Sequence, residues 1–318
     1  MMKSKTIFMC MLIMGVILTV SSNNWMGMWM GLELNMIAFL PMLKLSKDKK
    51  SSNASMIYFL TQSMSSMILM FSMMSMMHGN YFSENLILLS LMIKLGSAPF
   101  HMWMPEMMSM INWNSCIMLL TVQKIAPLHM IYNGSWNDLI NITIIMSALI
   151  GALGGLNQTS LKKIMAYSSI SHLAWMLMLN KNINKFYMYL IVYSIMITVL
   201  CTYFKINNLN FMNNLFSINI PTPSKINLTL MMMSVGGLPP LLGFLPKWMV
   251  IQTLMTDNNY IMMLILTTST LITLFFYLRM INKMFMLFST ASPWILLKKM
   301  DIIPFIINMM LPIIFIIN

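Results

Sequence analysis

Leu91-Met-Ile-Lys94-Leu-Gly96-Ser-Ala-Pro99-Phe-His101-Met-Trp-Met-Pro105 is the stretch on which the fold turns. Lys94 stands near the centre of an apolar run from Glu84 to Met104. A run of about 20 such residues crosses a bilayer, which puts the lysine close to the midplane. A charge there costs about 2.5–3.5 kcal/mol on insertion scales. Gly96 and Pro99 follow at once, and proline lacks an N–H and crowds the preceding turn, so the helix is expected to kink or break. A costly charge beside a helix break reads as part of an ion pathway. The plainer reading is a lysine that snorkels to the surface; from mid-helix its reach is poor.

Outward from this stretch the whole chain has the same character. Its 318 residues are 58% hydrophobic and only 8% charged, far below the charge of a soluble domain. Residues 1–318 therefore read as a single membrane domain. A net charge of +12 raises the question of nucleic acid. The basic residues lie in short loops between apolar runs, with no basic helix face, so no nucleic-acid partner is expected. Cys10, Cys116 and Cys201 are scattered through apolar runs, which offers neither a disulfide framework nor a thiolate cluster. The 46 methionines substitute freely for leucine against lipid or in a core.

Apolar periodicity gives an all-α polytopic membrane protein of about 11 transmembrane helices. They are expected at about 4–21, 25–43, 52–77, 84–104, 112–132, 135–155, 161–180, 185–206, 226–255, 259–282 and 302–317. The first has the basic start of a secretory signal but a weak cleavage site, so it reads as a span. Glu33 stands mid-way along the second, where Gly27 and Gly31 offer a small face to a neighbour. Lys124 is central in the fifth, with Pro127 beyond it, and His172 lies inside the seventh. Gly151, Gly154 and Gly155 lack the strand context of a dinucleotide fingerprint and read as helix packing. The ninth run is interrupted by Gly236-Gly-Leu-Pro239-Pro240-Leu-Leu-Gly243-Phe-Leu-Pro246, with Lys247 just past the break.

If the spans alternate, Lys3, Lys5, Lys44, Lys47, Lys49, Lys50, Lys162, Lys163, Lys205, Lys225, Arg279, Lys283, Lys298 and Lys299 share one side. Only Lys181 and Lys185 face the other. That bias supports the span count and puts the N-terminus in the compartment of synthesis, with the C-terminus opposite.

Residues 4–132 and 135–282 look like two copies of a five-helix unit, followed by a terminal helix at about 302–317. In each copy the fourth helix is broken and carries a lysine at the break, Lys94 or Lys247. In each the second helix bears a titratable group, Glu33 or His172. Five is odd, so the copies would be inverted, the layout of many ion transporters.

The histidines are weighed against structural roles. His78 falls in a loop, and His129, near a span end, reads as a structural hydrogen bonder. For His101 and His172 a relay role and a structural role stand level on these grounds. Paired imidazole spacing for a membrane haem is not seen. Trp25, Trp103, Trp136 and Trp294 fall near span ends and read as interfacial belt residues. Glu84, Glu106, Asp138, Asp257 and Asp301 lie at span ends or in loops, where solvation is the default.

Six signatures carry a family resemblance: Gly31-Leu-Glu33-Leu-Asn35, Lys94-Leu-Gly-Ser-Ala-Pro-Phe-His101, Gln123-Lys124-Ile-Ala-Pro127, Gly154-Gly-Leu-Asn-Gln-Thr-Ser-Leu161, Tyr167-Ser-Ser-Ile-Ser-His172 and Gly236 through Lys247. Together they resemble the NADH dehydrogenase subunit 2 family of mitochondrial respiratory complex I, in its shortened animal form. Ser97 stands where the family often has alanine. The resemblance implies an antiporter-like subunit of H+-translocating NADH:ubiquinone reductase in the mitochondrial inner membrane, N-terminus to the matrix and C-terminus to the intermembrane space. It implies that Glu33 and Lys94 are a coupling pair, that Lys124 and Lys247 are further proton-carrying lysines, and that His101 and His172 belong to the same polar axis. It implies no cofactor on this chain, with NADH, FMN, iron–sulfur clusters and ubiquinone handled by other subunits. Expected partners are the other membrane-arm subunits, with NADH dehydrogenase subunits 4 and 4L as neighbours, and lipids such as cardiolipin.

Three other classes compete. A free-standing monovalent cation/proton antiporter would use the same architecture. A b-type cytochrome would need haem. A structural scaffold would have no use for three midplane lysines costing on the order of 8–10 kcal/mol together.

Overall fold

The structure, a computed structural model, describes residues 2–44, 49–77, 82–134, 138–180, 182–217 and 222–285. The expected last span at 302–317, the loop residues Lys47, Lys181, Lys298, Lys299 and Asp301, and His78, Trp136 and Trp294 lie outside them. Regular structure among the described residues is helical, apart from one isolated bridge between Ser160 and Phe211. A bilayer core offers no water to backbone groups, and a helix satisfies them internally.

The helices are α1 (Met2–Ser21), α2 (Trp25–Leu43), α3 (Lys49–Met77), α4 (Phe82–Leu95), α5 (Trp103–Met110), α6 (Trp113–Leu120), α7 (Val122–Tyr132) and α8 (Asp138–Leu156). They continue as α9 (Leu161–Leu177), α10 (Ile183–Ile206), α11 (Asn214–Ser217), α12 (Thr222–Gly236), α13 (Phe244–Thr256) and α14 (Tyr260–Phe285). Among the described residues six stretches are long and apolar enough to cross a membrane: 25–43, 49–76, 113–132, 139–156, 183–206 and 260–284. Five of the eleven expected spans are not among these six. The fourth and ninth are each two half-length pieces, α4 with α5 and α12 with α13, and neither piece alone has the length to cross. The first is a shorter apolar helix over Thr6–Ser21, the seventh is the 17-residue α9, and the last lies outside the described residues.

Outward faces are apolar. On α3 the side chains of Met56, Leu60, Met64, Met67 and Phe71 are exposed, and on α14 those of Ile261, Leu264, Leu271 and Phe275. Such stripes would be costly in water and are what lipid solvates. Polar groups turn inward instead. Buried Ser65, Ser72 and Ser90 donate to the carbonyls of Gln62, Leu69 and Ile87 at 2.7, 2.7 and 2.6 Å, so each hydroxyl is satisfied within its own helix.

The chain divides into two compact units, Met1–Ser147 and Ala148–Asn318. In the first, α1 lies along α2 through glycine. A Cβ on Gly31 would stand 2.7 Å from the Gly15 carbonyl oxygen and 2.9 Å from the Thr19 nitrogen. The small face is therefore Gly31 with Gly15; Gly27 meets only the Ser22 side chain. α3 packs on α4 and α5, and α7 on α1, α2 and α4. In the second unit the glycines of α8 serve helix packing. A Cβ on Gly151 would meet the Ser171 backbone of α9 at 2.6 Å, and one on Gly155 would meet Phe276 of α14 at 2.8 Å. The C-terminal part of α9, from Ser168 to Leu177, is buried throughout.

Candidate functional site

Lys94 is in the last turn of α4, at a helix end rather than mid-helix. Gly96 has φ +67°, the left-handed region glycine enters without steric cost. Gly96 N–H donates to Ile93 O, and Ser97 N–H to Met92 O, each at 3.1 Å. This pair of bonds is a Schellman motif, which ends a helix by turning its last carbonyls inward. Glycine therefore terminates α4, with Pro99 three residues beyond. Trp103 fills the gap: a Cβ on Gly96 would touch its indole at 3.1 Å, and its Nε1 donates to Ile93 O at 3.2 Å. The expected belt residue Trp103 instead plugs the helix break.

Lys94 is 6% exposed, and its Nζ lies 3.9 Å from Oε1 of Glu33 on α2. Pairing offsets part of what burying either charge would cost. The Lys94 carbonyl, left over at the helix end, accepts from Nε2 of Gln62 on α3 at 3.3 Å.

Lys124 is brought to the same place by a break in the fifth span that was not anticipated. α6 stops at Leu120, and Thr121 bonds through both its N–H (3.0 Å) and its hydroxyl (2.7 Å) to Ile117 O. α7 starts at Val122, which leaves Lys124 in its first turn and only 3% exposed. A cavity of about 20 Å³ has Lys94 and Lys124 on its walls, with Asn35, Tyr58, Gln62 and Gln123. That volume holds about one water. Tyr58 donates to Oε1 of Gln123 at 3.3 Å. Both ends of the Asn35 amide and Nε2 of Gln123 are buried without a protein hydrogen bond.

His101 lies in the link between α4 and α5, with Nδ1 3.2 Å from the Pro99 carbonyl. It is close in sequence to the site but not on the cavity wall. His129 sits at the end of α7, its Nε2 3.4 Å from Nδ2 of Asn133, as a structural residue would.

The second unit repeats the local device. Gly237 has φ +81°; its N–H donates to Ser234 O at 2.9 Å, and Leu238 N–H to Met233 O at 3.2 Å. This is again a Schellman motif, now ending α12. Lys247, in the first turn of α13 and 6% exposed, folds back so that Nζ donates to Gly236 O at 2.6 Å. The amine is held by the negative end of a half-helix, where Lys94 is held by a carboxylate. His172 is buried in α9 with Nδ1 2.8 Å from the Tyr189 hydroxyl of α10.

The structure thus brings Glu33, Lys94 and Lys124 together in the first unit and places Lys247 and His172 in the second. Asn35 and Gln123 fall in the quoted signatures without a role assigned to them, and Tyr58, Gln62 and Tyr189 escaped sequence reasoning; buried amides within otherwise apolar spans were the available signal. Among the described residues no three of His, Cys, Asp and Glu gather as a metal site would require.

Helical membrane subunits with ionisable side chains at helix breaks form the class of proton- and cation-moving proteins that this fold and site define. Residues 22–273 match the family described as NADH:quinone oxidoreductase/Mrp antiporter, TM, and the chain belongs to that family. Within it the chain belongs with the NADH-ubiquinone oxidoreductase chain 2 proteins: it is 44% identical to that of Anopheles gambiae, over 96% of this chain and 94% of the relative. A chain of respiratory complex I from Thermus thermophilus with bound aureothin superposes with TM-score 0.82 at 18% identity, covering 89% of this chain and 70% of that one. A chain of the Mrp complex from Dietzia superposes with TM-score 0.75 at 14% identity, covering 87% and 60%. At such identities the structural likeness concerns the fold.

Proposed function

We propose that this chain moves protons across the mitochondrial inner membrane as a core membrane subunit of NADH:ubiquinone reductase, with Glu33 and Lys94 as the element that couples it to electron transfer elsewhere in the complex. The observation that carries this reading is the 3.9 Å pairing of buried Lys94 with Glu33 at the end of a broken helix. Two unit charges at that distance attract with about 4 kcal/mol at an effective dielectric of about 20. Driving one charge against about 200 mV takes about 4.6 kcal/mol. Opening the pair is therefore an event of the right size to change whether Lys94 keeps its proton.

In this reading a neighbouring subunit draws Glu33 away, and Lys94 gives up its proton. The cavity that Lys94 shares with Lys124 supports a transfer through water between the two amines. Lys124, Lys247, His101 and His172 complete the set of proton carriers. The two Schellman breaks with their lysines support the two-repeat reading of residues 4–132 and 135–282, with eleven spans in all and the repeats inverted.

The chain would work among the other membrane-arm subunits, with NADH dehydrogenase subunits 4 and 4L beside it and cardiolipin among its lipids. Its N-terminus would face the matrix and its C-terminus the intermembrane space. NADH, FMN, iron–sulfur clusters and ubiquinone would be bound by other subunits.

The test is Lys94→Met in the assembled complex, with NADH-driven proton translocation measured in sealed vesicles. Loss of pumping is expected, and full stoichiometry would overturn the role. A free-standing cation/proton antiporter is the second reading, favoured by the fold shared with the Mrp chain. It requires cation-dependent proton movement without NADH, which the same vesicles measure.

A further inference from the structure

His172 faces two buried tyrosines, Tyr189 and Tyr193. They stand one turn apart on α10 and are 0 and 1% exposed. The Tyr189 hydroxyl is 2.8 Å from His172 Nδ1, and the Tyr193 ring centroid is 5.0 Å from that of the histidine. A tyrosine buried in an apolar helix bundle needs a partner for its hydroxyl, and here the partner is a group able to change protonation state. Phenylalanine would serve packing alone.

We propose that Tyr189 is a relay residue that works with His172 as a two-group proton wire. The proposal rests on His172 being part of the proton path. A phenol donates to a neutral imidazole, so Tyr189 O–H faces Nδ1 and the proton of His172 sits on Nε2. When a proton reaches the Tyr189 oxygen from its other side, a new O–H bond forms. The original O–H bond breaks, and its proton bonds to Nδ1. The Nε2–H bond then breaks and its proton moves on. One proton enters, one leaves, and both groups end neutral. Rotation of the hydroxyl and exchange of the imidazole tautomer restore the start.

The test is a double-mutant cycle in the assembled complex, with NADH-driven proton translocation normalised to the amount of intact complex on native gels. Tyr189→Phe alone is expected to lower the rate about fivefold, the loss that one hydrogen bond of ordinary worth brings. In a His172→Gln background the same change is expected to do nothing further. An unchanged rate for Tyr189→Phe beside a slow His172→Gln overturns this inference alone. An equal loss in both backgrounds also overturns it, since that is a packing effect. A normal rate for His172→Gln overturns the histidine's role itself, and the wire with it. Should Tyr189→Phe fail to assemble, Tyr189→His, which keeps a ring donor, is put through the same cycle and judged by whether the His172→Gln background abolishes its effect.

Discussion

Nζ of Lys94 lies 3.9 Å from Oε1 of Glu33, with the lysine side chain 2% and the glutamate side chain 20% exposed. The carboxylate is thus the more accessible member of the pair. Glu33→Gln removes the charge that holds the Lys94 proton but leaves the amine. It is expected to lower NADH-driven pumping less than Lys94→Met does, in vesicles carrying equal amounts of complex. Equal or greater loss for Glu33→Gln would contradict this division of roles.

Gly237 combines a left-handed backbone with a lysine folded over it: a Cβ there would stand 2.7 Å from Lys247 Nζ. Gly237→Ala is expected to cost about 1–2 kcal/mol from backbone conformation and to displace the amine from the Gly236 carbonyl. Less assembled complex on native gels, with lower pumping per complex, is the expected result. Gly96→Ala carries the backbone cost and presses on Trp103, so assembly should fall with it as well.

Gly31 and Gly27 should respond differently to the same substitution. An added methyl at Gly31 meets backbone atoms of Gly15 and Thr19, which cannot yield, while at Gly27 it meets only the Ser22 side chain. Gly31→Ala is therefore expected to be destabilising by about 1–3 kcal/mol through overpacking, and Gly27→Ala by less. Thermal stability of the detergent-solubilised complex orders the two.

Asn35→Leu removes an amide from the wall of the cavity that Lys94 and Lys124 share. The two residues are similar in size, so assembly should survive. Proton pumping is expected to fall severalfold because the water-sized space loses polar partners. Wild-type pumping in Asn35→Leu would contradict a proton path through this cavity.

The positions of the breaks in the fourth and ninth spans could be read in the chain because glycine and proline act locally. Their division of labour could not. Glycine and proline together are expected to break these helices, whereas Gly96 and Gly237 end them and the prolines follow. The break at Thr121 has no glycine or proline within it and so left no mark on hydropathy. Trp103 at a span end reads as a belt residue until the cleft that it fills is seen. Tyr189 looks like any aromatic on a buried face until His172 is found against it.

The sequence by itself determined a lipid-embedded chain of helices, two of them broken, with lysines at the breaks and a glutamate within a span. These follow from hydropathy and backbone chemistry, which depend on neighbours along the chain. Only the tertiary structure decided that Lys94 meets Glu33 while Lys247 turns to the Gly236 carbonyl. Similar local breaks give different partners because a side chain's contacts are set by which helices pack around it, through residues far away in sequence.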